Sequence, residues 1–209
     1  MHKIVVIGGG GHAKVLVGVL KKLAWDVVGY TDPRDRGLIL GAGCLGDDAI
    51  LPAFVTAYRD CRAMIGVGKI DTSPRRLRLQ QELEGLGFDF PVIVSPRAEV
   101  NDEVALGAGT AVLDGAVVNS GTVTGRGCII NTNSTLEHDC RLGDNVHVAS
   151  GATVSGGVTI GNNCMIGAGA TVVQGVSICD DCLVGAGAAV VRDVVVPGTY
   201  MGVPAERAR

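Results

Sequence analysis

The chain has 209 residues, a net charge of −3 and a pI near 5.8, so neither a nucleic acid nor an anionic membrane is an expected partner. No apolar run approaches the roughly 20 residues of a membrane span. The opening MHKIVVIGGGG indicates a first strand that runs into glycines rather than a signal peptide, which favours a cytoplasmic location. Thirty-two glycines and only 3% aromatic residues are typical of a fold with many tight corners.

Residues 1–91 alternate strand and helix patterns, which predicts a small α/β domain with a parallel sheet, about half of a Rossmann-like fold. Strands are expected at residues 3–7, 26–30 and 63–67. Helices are expected at residues 12–23 and 47–57, and after Ser73 as the capping residue, with Pro74 at the first helical position.

The first predicted strand ends in four glycines, Gly8–Gly11, at the start of a helix. Backbone N–H groups and the helix dipole converge there, which is typical of a phosphate site. With Asp32, the pattern Gly8-x-Gly10-x-x-Ala13 also matches a loose dinucleotide fingerprint. Because the unit has too few strands to hold a dinucleotide, a nucleoside diphosphate is favoured. A plain packing turn and an NAD site are the alternatives, and His12 is either a phosphate ligand or a cap.

From residue 94 to residue 196 every sixth residue is Val, Ile or Leu, with Thr124 as the one exception in eighteen positions. The residue two places earlier is small or branched, which is the period of a short strand. Glycine often follows the aliphatic residue, where a sharp corner tolerates little side chain. The pattern predicts a hexapeptide parallel β-helix over residues 92–196, with three hexads in each of about six coils and a tail, 197–209, over its end.

The seven cysteines are expected to be reduced, and no metal site is expected. Four of them fall on the small inward position of the repeat, where they fill a narrow shaft: Cys128, Cys140, Cys164 and Cys182. Cys179 forms a CxxC pair with Cys182 but is expected to point outward, away from it, so neither a zinc nor a redox role is favoured for the pair.

One segment of the solenoid, residues 131–147, holds both of its histidines. His138 lies two positions after the inward Leu136, at a corner, between Glu137 and Asp139. A neighbouring carboxylate can orient the imidazole for general base catalysis. The alternative is a surface histidine with solvated neighbours.

Five segments together resemble one protein family: IVVIGGGGHAKV near the start, TD at the second strand end, IGVG at 65–68, IINTNSTLEHDC at 129–140 and the closing GVPAERAR. Across essentially the whole chain, the sequence resembles the PglD/NeuD-type bacterial sugar acyltransferases of the left-handed β-helix superfamily. The resemblance implies a homotrimer with acetyl-CoA between neighbouring shafts. It implies acetyl transfer to the amino group of a UDP-linked 4-amino-4,6-dideoxy sugar, for surface glycan synthesis.

The resemblance also implies roles for individual residues. His138 matches the general base, Asp139 the acidic residue beside it, and Asn131 a polar residue near the reacting group. The positions that match acetyl-CoA contacts are His147, Gly156, Ala168 and Ala186. The positions that match the nucleotide pocket are Gly10, Gly11, His12, Asp32 and Gly68. The transfer is expected to be direct, without a covalent enzyme intermediate.

Two departures from the family pattern leave the nucleotide base open between uridine, guanosine and thymidine. Pro33 follows Asp32 where relatives with a uridine pocket have a second acid, and Lys69 stands where many have Asp or Asn. Three alternatives to N-acetylation also remain at this point: sialic-acid-type sugar O-acetylation, a nonenzymatic nucleotide-binding scaffold, and an NAD-dependent oxidoreductase.

Overall fold

A computed structural model describes residues 2–208, which form an α/β unit followed by a β-solenoid. The α/β unit has a parallel sheet of order β2-β1-β3, with β1 at Lys3–Ile7, β2 at Asp26–Thr31 and β3 at Cys61–Ile65. Its helices are α1 at Gly11–Lys22, α2 at Leu51–Ala57 after a 3₁₀ turn at Asp48–Ile50, and α3 at Arg75–Gly85. Both faces of the sheet are covered, because Ile4 and Val6 pack on the α1 side while Val5 and Ile7 pack on the other side.

The third strand begins and ends two residues earlier than the sequence pattern predicts. Gly66 has already left the sheet, and it passes so close to β1 and α1 that an added Cβ would lie 2.6 Å from Val6 and 2.9 Å from Ala13. The alternating apolar and glycine residues of 65–68 fit a strand and a loop equally well. Ile65 still belongs to β3, and the close approach at Gly66 begins the loop.

The solenoid consists of three parallel sheets, each wound from one strand per coil. Sheet I contains Ile93–Val94, Ala111–Val112, Ile129–Ile130, His147–Val148, Met165–Ile166, Cys182–Val184, Gly198–Met201 and, antiparallel, Glu206–Arg207. Sheet II contains Glu99–Val100, Val117–Val118, Thr135–Leu136, Thr153–Val154, Thr171–Val172 and Ala189–Val190. Sheet III contains Ala105–Leu106, Val123–Thr124, Arg141–Leu142, Thr159–Ile160 and Ser177–Ile178, with a bridge from Ile178 to Val194.

Strand register confirms the predicted coil of three hexads, except at its last member. Val196, expected to point inward, is exposed, and Val194 is buried and pairs with Ile178 in its place. Leu136 pairs with Val154, eighteen residues on, and both side chains are fully buried in the shaft. Thr124, the exception in the repeat, also points inward, and its Oγ1 accepts a hydrogen bond from Gly107 N–H at 3.3 Å. The polar atom therefore has a partner, so the shaft tolerates it.

Two corner positions, not one, restrict the side chain. At the position directly after the aliphatic residue, Gly107 and Gly161 have ordinary φ, but an added Cβ would collide with backbone of the next coil. Two residues later, every sixth residue from 103 to 187 has positive φ. Most of these are glycine, and the sequence pattern had not indicated this second requirement. Asp139 occupies such a position, with φ of 59°.

The α/β unit packs on the outer surface of sheet I. Ile93, Ala111 and Ile129 stand one above another in successive coils and join the same buried cluster as Leu16 and Met64. Ion pairs at the edges of this contact join Lys22 to Asp114 and Arg126 to Glu84. The two regions therefore meet through a continuous core. Within residues 2–208, no helix has the length and apolar character needed to traverse a membrane.

Candidate functional site

The glycine turn forms one wall of a pocket of about 340 Å³ at the carboxyl end of the parallel sheet. The turn after β1, the end of β2 and the loop after β3 enclose it. The pocket brings together all five residues predicted to hold a nucleotide: Gly10, Gly11, His12, Asp32 and Gly68. Gly10 and Gly11 are exposed, and an added Cβ would meet nothing within 4 Å at either. The helix N-terminus is therefore open to an anion.

Asp32 holds the glycine turn in place. Its carboxylate accepts hydrogen bonds from Arg34 N–H at 2.9 Å and from Gly9 N–H at 3.0 Å, and Arg36 lies 3.4 Å away. The Arg34 bond, followed by the Gly9 bond and the Arg36 charge, holds the pKa of this carboxyl below its usual value. Gly9 has no space for a side chain, because a Cβ would lie 2.5 Å from the Tyr30 ring. Asp32 therefore shapes the turn as well as lining the pocket.

His12 lies at the inner end of the pocket and is neutral. Burial, then the nearby charge of Arg76 and the proximity of His147, lowers its pKa to about 3. Its Nε2 atom is buried and has no hydrogen-bond partner among the described residues. Arg75, exposed at the start of α3, also lines the pocket and was missed by the sequence analysis. The sequence could have indicated this residue, because Arg75 directly follows the predicted helix start at Ser73-Pro74 and so brings a positive charge to a helix N-terminus.

A second cluster lies where the loop after β3 meets the solenoid. His147 is 7% exposed, and its Nδ1 lies 2.7 Å from the Lys69 carbonyl oxygen. A carbonyl can only accept, so Nδ1 carries the proton and Nε2 accepts from the Asn131 side-chain amide at 3.0 Å. The Asn131 oxygen in turn accepts from Thr132 N–H at 2.7 Å. Burial lowers the pKa of His147 to about 4, so this imidazole is a neutral, fixed link.

Two buried cations lie at this junction, and Arg76 is the one that reaches the solenoid, through the Gly127 carbonyl. Lys69 is 3% exposed, its Nζ lies 3.5 Å from the Ser73 carbonyl, and burial lowers its pKa. Arg76 is 4% exposed and donates to the carbonyls of Val67, Ile65 and Gly127. No carboxylate of residues 2–208 forms a salt bridge with either cation.

The third cluster is the exposed corner that carries His138. The imidazole is 58% exposed, and its Nδ1 lies 2.8 Å from an Asp139 carboxylate oxygen. Because a carboxylate can only accept, Nδ1 carries the proton and the Nε2 lone pair is free to take another. The ring lies against Gly156 of the next coil, where an added Cβ would be 2.5 Å from Nε2. Gly156 is therefore the side chain-free floor beneath the imidazole.

Glu137 does not orient His138, although the sequence analysis considered either neighbouring acid able to do so. Its carboxylate accepts from Asn119 Nδ2 at 2.9 Å, and Asn119 accepts from Asn101 at 2.7 Å. This ladder of side chains runs down successive coils, away from the imidazole. Of the two neighbouring acids, Asp139 is the one that contacts the ring, through Nδ1 at 2.8 Å.

Ala168 and Ala186 are exposed and stand one coil apart on the edge between sheets I and II. They continue the row that begins at Thr132, beside Asn131, and runs along the shaft. The Ala168 carbonyl accepts from Gly187 N–H at 2.9 Å. Small side chains on consecutive coils leave a narrow, unobstructed track there.

One chain thus places the predicted transfer residues on two edges. Asn131, His147, Ala168 and Ala186 lie at or beside the edge between sheets I and II. His138, Asp139 and Gly156 lie on the edge between sheets II and III. The two edges are separated by one side of the triangle, six residues or about 20 Å of extended chain. No group of three or more His, Cys, Asp or Glu in residues 2–208 is arranged to hold a metal ion.

Comparison with protein families finds three matches along the chain. Residues 3–83 match the PglD N-terminal domain. Residues 121–156 match the bacterial transferase hexapeptide family of six repeats, and residues 157–192 match the hexapeptide repeat of succinyl-transferase. A comparison with curated proteins finds no match.

Several solved structures are similar over the whole chain. The acetyltransferase domain of PglB from Neisseria gonorrhoeae is 32% identical, with full coverage of both chains and a TM-score of 0.92. PerB from Caulobacter crescentus, in complex with CoA and GDP-perosamine, is 35% identical over 99% of this chain and 97% of its own, with a TM-score of 0.92. WeeI from Acinetobacter baumannii is 25% identical over 99% of each chain, with a TM-score of 0.87.

Proposed function

Because the chain belongs to the PglD/NeuD-type sugar acyltransferases of the left-handed β-helix superfamily, we propose that it acetylates the amino group of a nucleotide-linked 4-amino-4,6-dideoxy sugar, with acetyl-CoA as donor. The observation that carries the proposal is the exposed His138–Asp139 pair above Gly156, on a chain that also has an anion pocket. PerB supports the substrate class, since its structure contains CoA and an amino-sugar nucleotide.

His138 acts as the general base in this proposal. Its Nε2 takes a proton from the sugar amine as the amine attacks, while the Asp139 carboxylate stabilises the imidazolium that forms. The Gly156 N–H makes no hydrogen bond to another described residue and lies under the ring, where it is available to a developing negative charge. These three groups require no covalent enzyme intermediate.

The exposed row at Ala168 and Ala186 fits the thin pantetheine arm of acetyl-CoA, because small side chains leave the track open along the shaft. When bound, acetyl-CoA supplies the activated acetyl group as a thioester. At the end of this row, Asn131 is held by the neutral His147 and orients groups near the reaction centre. No metal is required for this chemistry.

The acceptor is placed by the pocket of the α/β unit. The open helix N-terminus at Gly10 and Gly11 suits a diphosphate, and Arg75 supplies a positive charge, whereas the neutral His12 can contribute a hydrogen bond only. A uridine nucleotide follows from the sequence resemblance, and a guanosine nucleotide is the ligand of PerB. A donor and an acceptor of these classes are cytoplasmic metabolites, so the proposal places the enzyme in the cytoplasm.

The separation of the two edges supports a homotrimer with shared active sites. His138 of one subunit would face Asn131 and the acetyl-CoA track of a neighbour across a cleft between shafts. Three shafts in cyclic symmetry give three equivalent clefts. A monomer would leave the base and the donor track on different edges.

The activity is tested by thiol release from acetyl-CoA with a panel of UDP-, GDP- and dTDP-linked 4-amino sugars and free sialic acid. We expect turnover with one amino-sugar nucleotide and a loss of about 10²–10⁴-fold in kcat for His138→Ala. Gln174→Ala, at the same corner two coils on, is the matched control and should keep full activity. Acetylation of sialic acid alone would favour O-acetyl transfer, and equal rates for wild type and His138→Ala would remove His138 from the mechanism.

The shared site is tested by co-expressing two inactive variants, His138→Ala and Asn131→Ala. If each site takes one edge from each of two subunits, random assembly restores about a quarter of the sites. Co-expression of His138→Ala with Asp139→Ala, which damages the same edge twice, should restore none. Equal activity of the two mixtures would contradict a site between subunits.

A further inference from the structure

The corner that carries Cys179 differs from the equivalent corners below it. At this position, directly after the inward aliphatic residue, the four preceding coils have Gly107, Gly125, Gly143 and Gly161. At each of these glycines an added Cβ would collide with the coil above. Cys179 escapes that restriction because only the C-terminal segment follows it. Its side chain packs against the shaft core instead of pointing outward, contrary to the expectation from the sequence.

The inward row beside this corner also changes at its last member. Thr110 Oγ1 donates to the Gly125 carbonyl at 3.1 Å, Cys128 Sγ to Gly143 at 3.2 Å, and Cys164 Sγ to Cys179 at 3.1 Å. Each donor thus reaches the corner of the next coil. Cys182 has no complete coil above it, and its closest carbonyls are Asp180 at 3.5 Å and Val196 at 3.8 Å.

These two departures bring two sulfurs together. Cys179 Sγ and Cys182 Sγ are 3.5 Å apart, so both are thiols, since a disulfide bond would be about 2.0 Å long. A rotation about the side-chain bonds that closes about 1.5 Å would join them. The same sulfur pair cannot form lower in the shaft, because the corner residue there is glycine.

We propose that Cys179 and Cys182 form a redox modification site that is converted to an intrachain disulfide by a low-molecular-weight disulfide such as oxidised glutathione. The Cys179 thiolate attacks one sulfur of the reagent and releases one thiol, which leaves a mixed disulfide. The Cys182 sulfur then attacks Cys179 Sγ, releases the second thiol and gives up its proton to it. Two protein thiols are oxidised and one reagent disulfide is reduced to two thiols.

The order of attack follows from access. Cys179 is half-buried at a corner, whereas Cys182 is fully buried and burial raises the pKa of its thiol. The reagent therefore meets Cys179 first. Cys182 only needs to reach a sulfur that already lies beside it. Cys164 is equally buried, and its Sγ is engaged with backbone, donating to the Cys179 carbonyl at 3.1 Å and accepting from Cys182 N–H at 3.4 Å.

The test treats the folded protein with oxidised glutathione, denatures it in an alkylating reagent and maps its peptides without reduction. We expect a bond between Cys179 and Cys182, removed by a reductant, with the other five of the seven cysteines alkylated. A stable glutathione adduct on Cys179, or alkylation of both cysteines, would overturn the proposal. Bonding of Cys164 to either partner would overturn it equally.

The variants use residues that other coils carry at the same positions, so the fold is preserved. Cys182→Val, which matches Val146, should trap glutathione on Cys179, whereas Cys179→Gly, which matches Gly161, should leave Cys182 unmodified. Cys164→Val is the control and should form the disulfide at the wild-type rate. Thermal unfolding of each reduced variant checks that its shaft is intact. If a variant unfolds at the wild-type temperature but does not give the expected modification, the proposal is contradicted.

Discussion

The two histidines of the solenoid stand nine residues apart in similar repeats, yet their surroundings are opposite. His138 is 58% exposed, touches one carboxylate through Nδ1 and leaves Nε2 open above a glycine. His147 is 7% exposed, and both of its ring nitrogens form hydrogen bonds within the protein, to the Lys69 carbonyl and the Asn131 amide. The first leaves a ring nitrogen open to a ligand, and the second holds another side chain in place.

The difference comes from what covers each side of the triangular shaft. The α/β unit packs on sheet I, so an outward residue there is buried beneath it. Among residues 2–208, nothing covers the corner between sheets II and III in this way, and His138 there is 58% exposed. Solvent exposure of an imidazole on this fold is therefore decided by domain packing and not by the repeat.

The largest effect on the buried side is expected from Arg76→Gln. The variant removes a charged donor from three carbonyls, of Val67, Ile65 and Gly127, and leaves them buried. We expect a loss of about 3 kcal/mol in the free energy of unfolding. Urea denaturation measures this, and Arg78→Gln, exposed on the same helix, should change stability by no more than about 0.5 kcal/mol. A similar small change for Arg76→Gln would mean that the junction does not depend on the guanidinium.

On the exposed side, Gly156→Ala tests the floor beneath His138. The new Cβ would lie 2.5 Å from Nε2, so the ring must move by about 1 Å. A displacement of that size costs about 10²-fold in kcat. In a His138→Ala background the same substitution should cost nothing further, because no ring is present to displace. An equal loss in both backgrounds would show that the glycine acts independently of His138.

The pH dependence of stability should report His147 and His12, the two histidines whose pKa values are lowered. Their folded pKa values are about 4 and about 3, below the value near 6.5 expected in the unfolded chain. The unfolded chain therefore binds more protons below about pH 6.5, so stability falls as the pH drops from there toward 4. Between about pH 7.5 and 5 each histidine should contribute a loss of about 2 kcal/mol.

Replacing one of these histidines isolates its share of the pH effect. His147→Gln keeps a hydrogen-bonding side chain but cannot titrate. The variant should therefore take up about one proton fewer on unfolding, so that its free energy of unfolding changes less with pH than that of the wild type. Urea titrations at the two pH values measure the slope. An unchanged slope would mean that His147 is not held neutral in the folded chain.

The solenoid was predictable in detail because its period is a local property of the chain. One aliphatic residue every sixth position specifies the strand, the inward face and the coil of three hexads, and strands eighteen residues apart pair as expected. The last hexad is the exception, because Val194 and not Val196 fills the final inward place. The second corner position, where φ is positive, was not recognised from the sequence, because Asn, Asp or Glu stands there in several coils in place of glycine. The end of the third strand was placed two residues too late, because nothing local marks where Gly66 leaves the sheet. A close approach between distant segments sets this end.

The candidate site divides in the same way. The glycine turn with Asp32, and the His138–Asp139 pair, were recognised because their partners are close in sequence or belong to a recurring strand–turn–helix unit. Arg75, Lys69 and Arg76 were not recognised as parts of a site, because their partners lie across the contact between the two regions. The sequence does carry a local sign of that contact. The outward positions Ile93, Ala111 and Ile129 are apolar, and His147 continues the same row.

The amino-acid sequence by itself determined the β-helix, its coil number, the α/β unit and the family, since each rests on spacing along the chain. Only the tertiary structure decided which imidazole is open and which is buried, that Glu137 turns away from His138, and that Cys179 meets Cys182. The physical reason is that these outcomes depend on which surfaces cover one another. Neighbours in space, eighteen or more residues apart, set the exposure and the hydrogen-bond partners of each side chain.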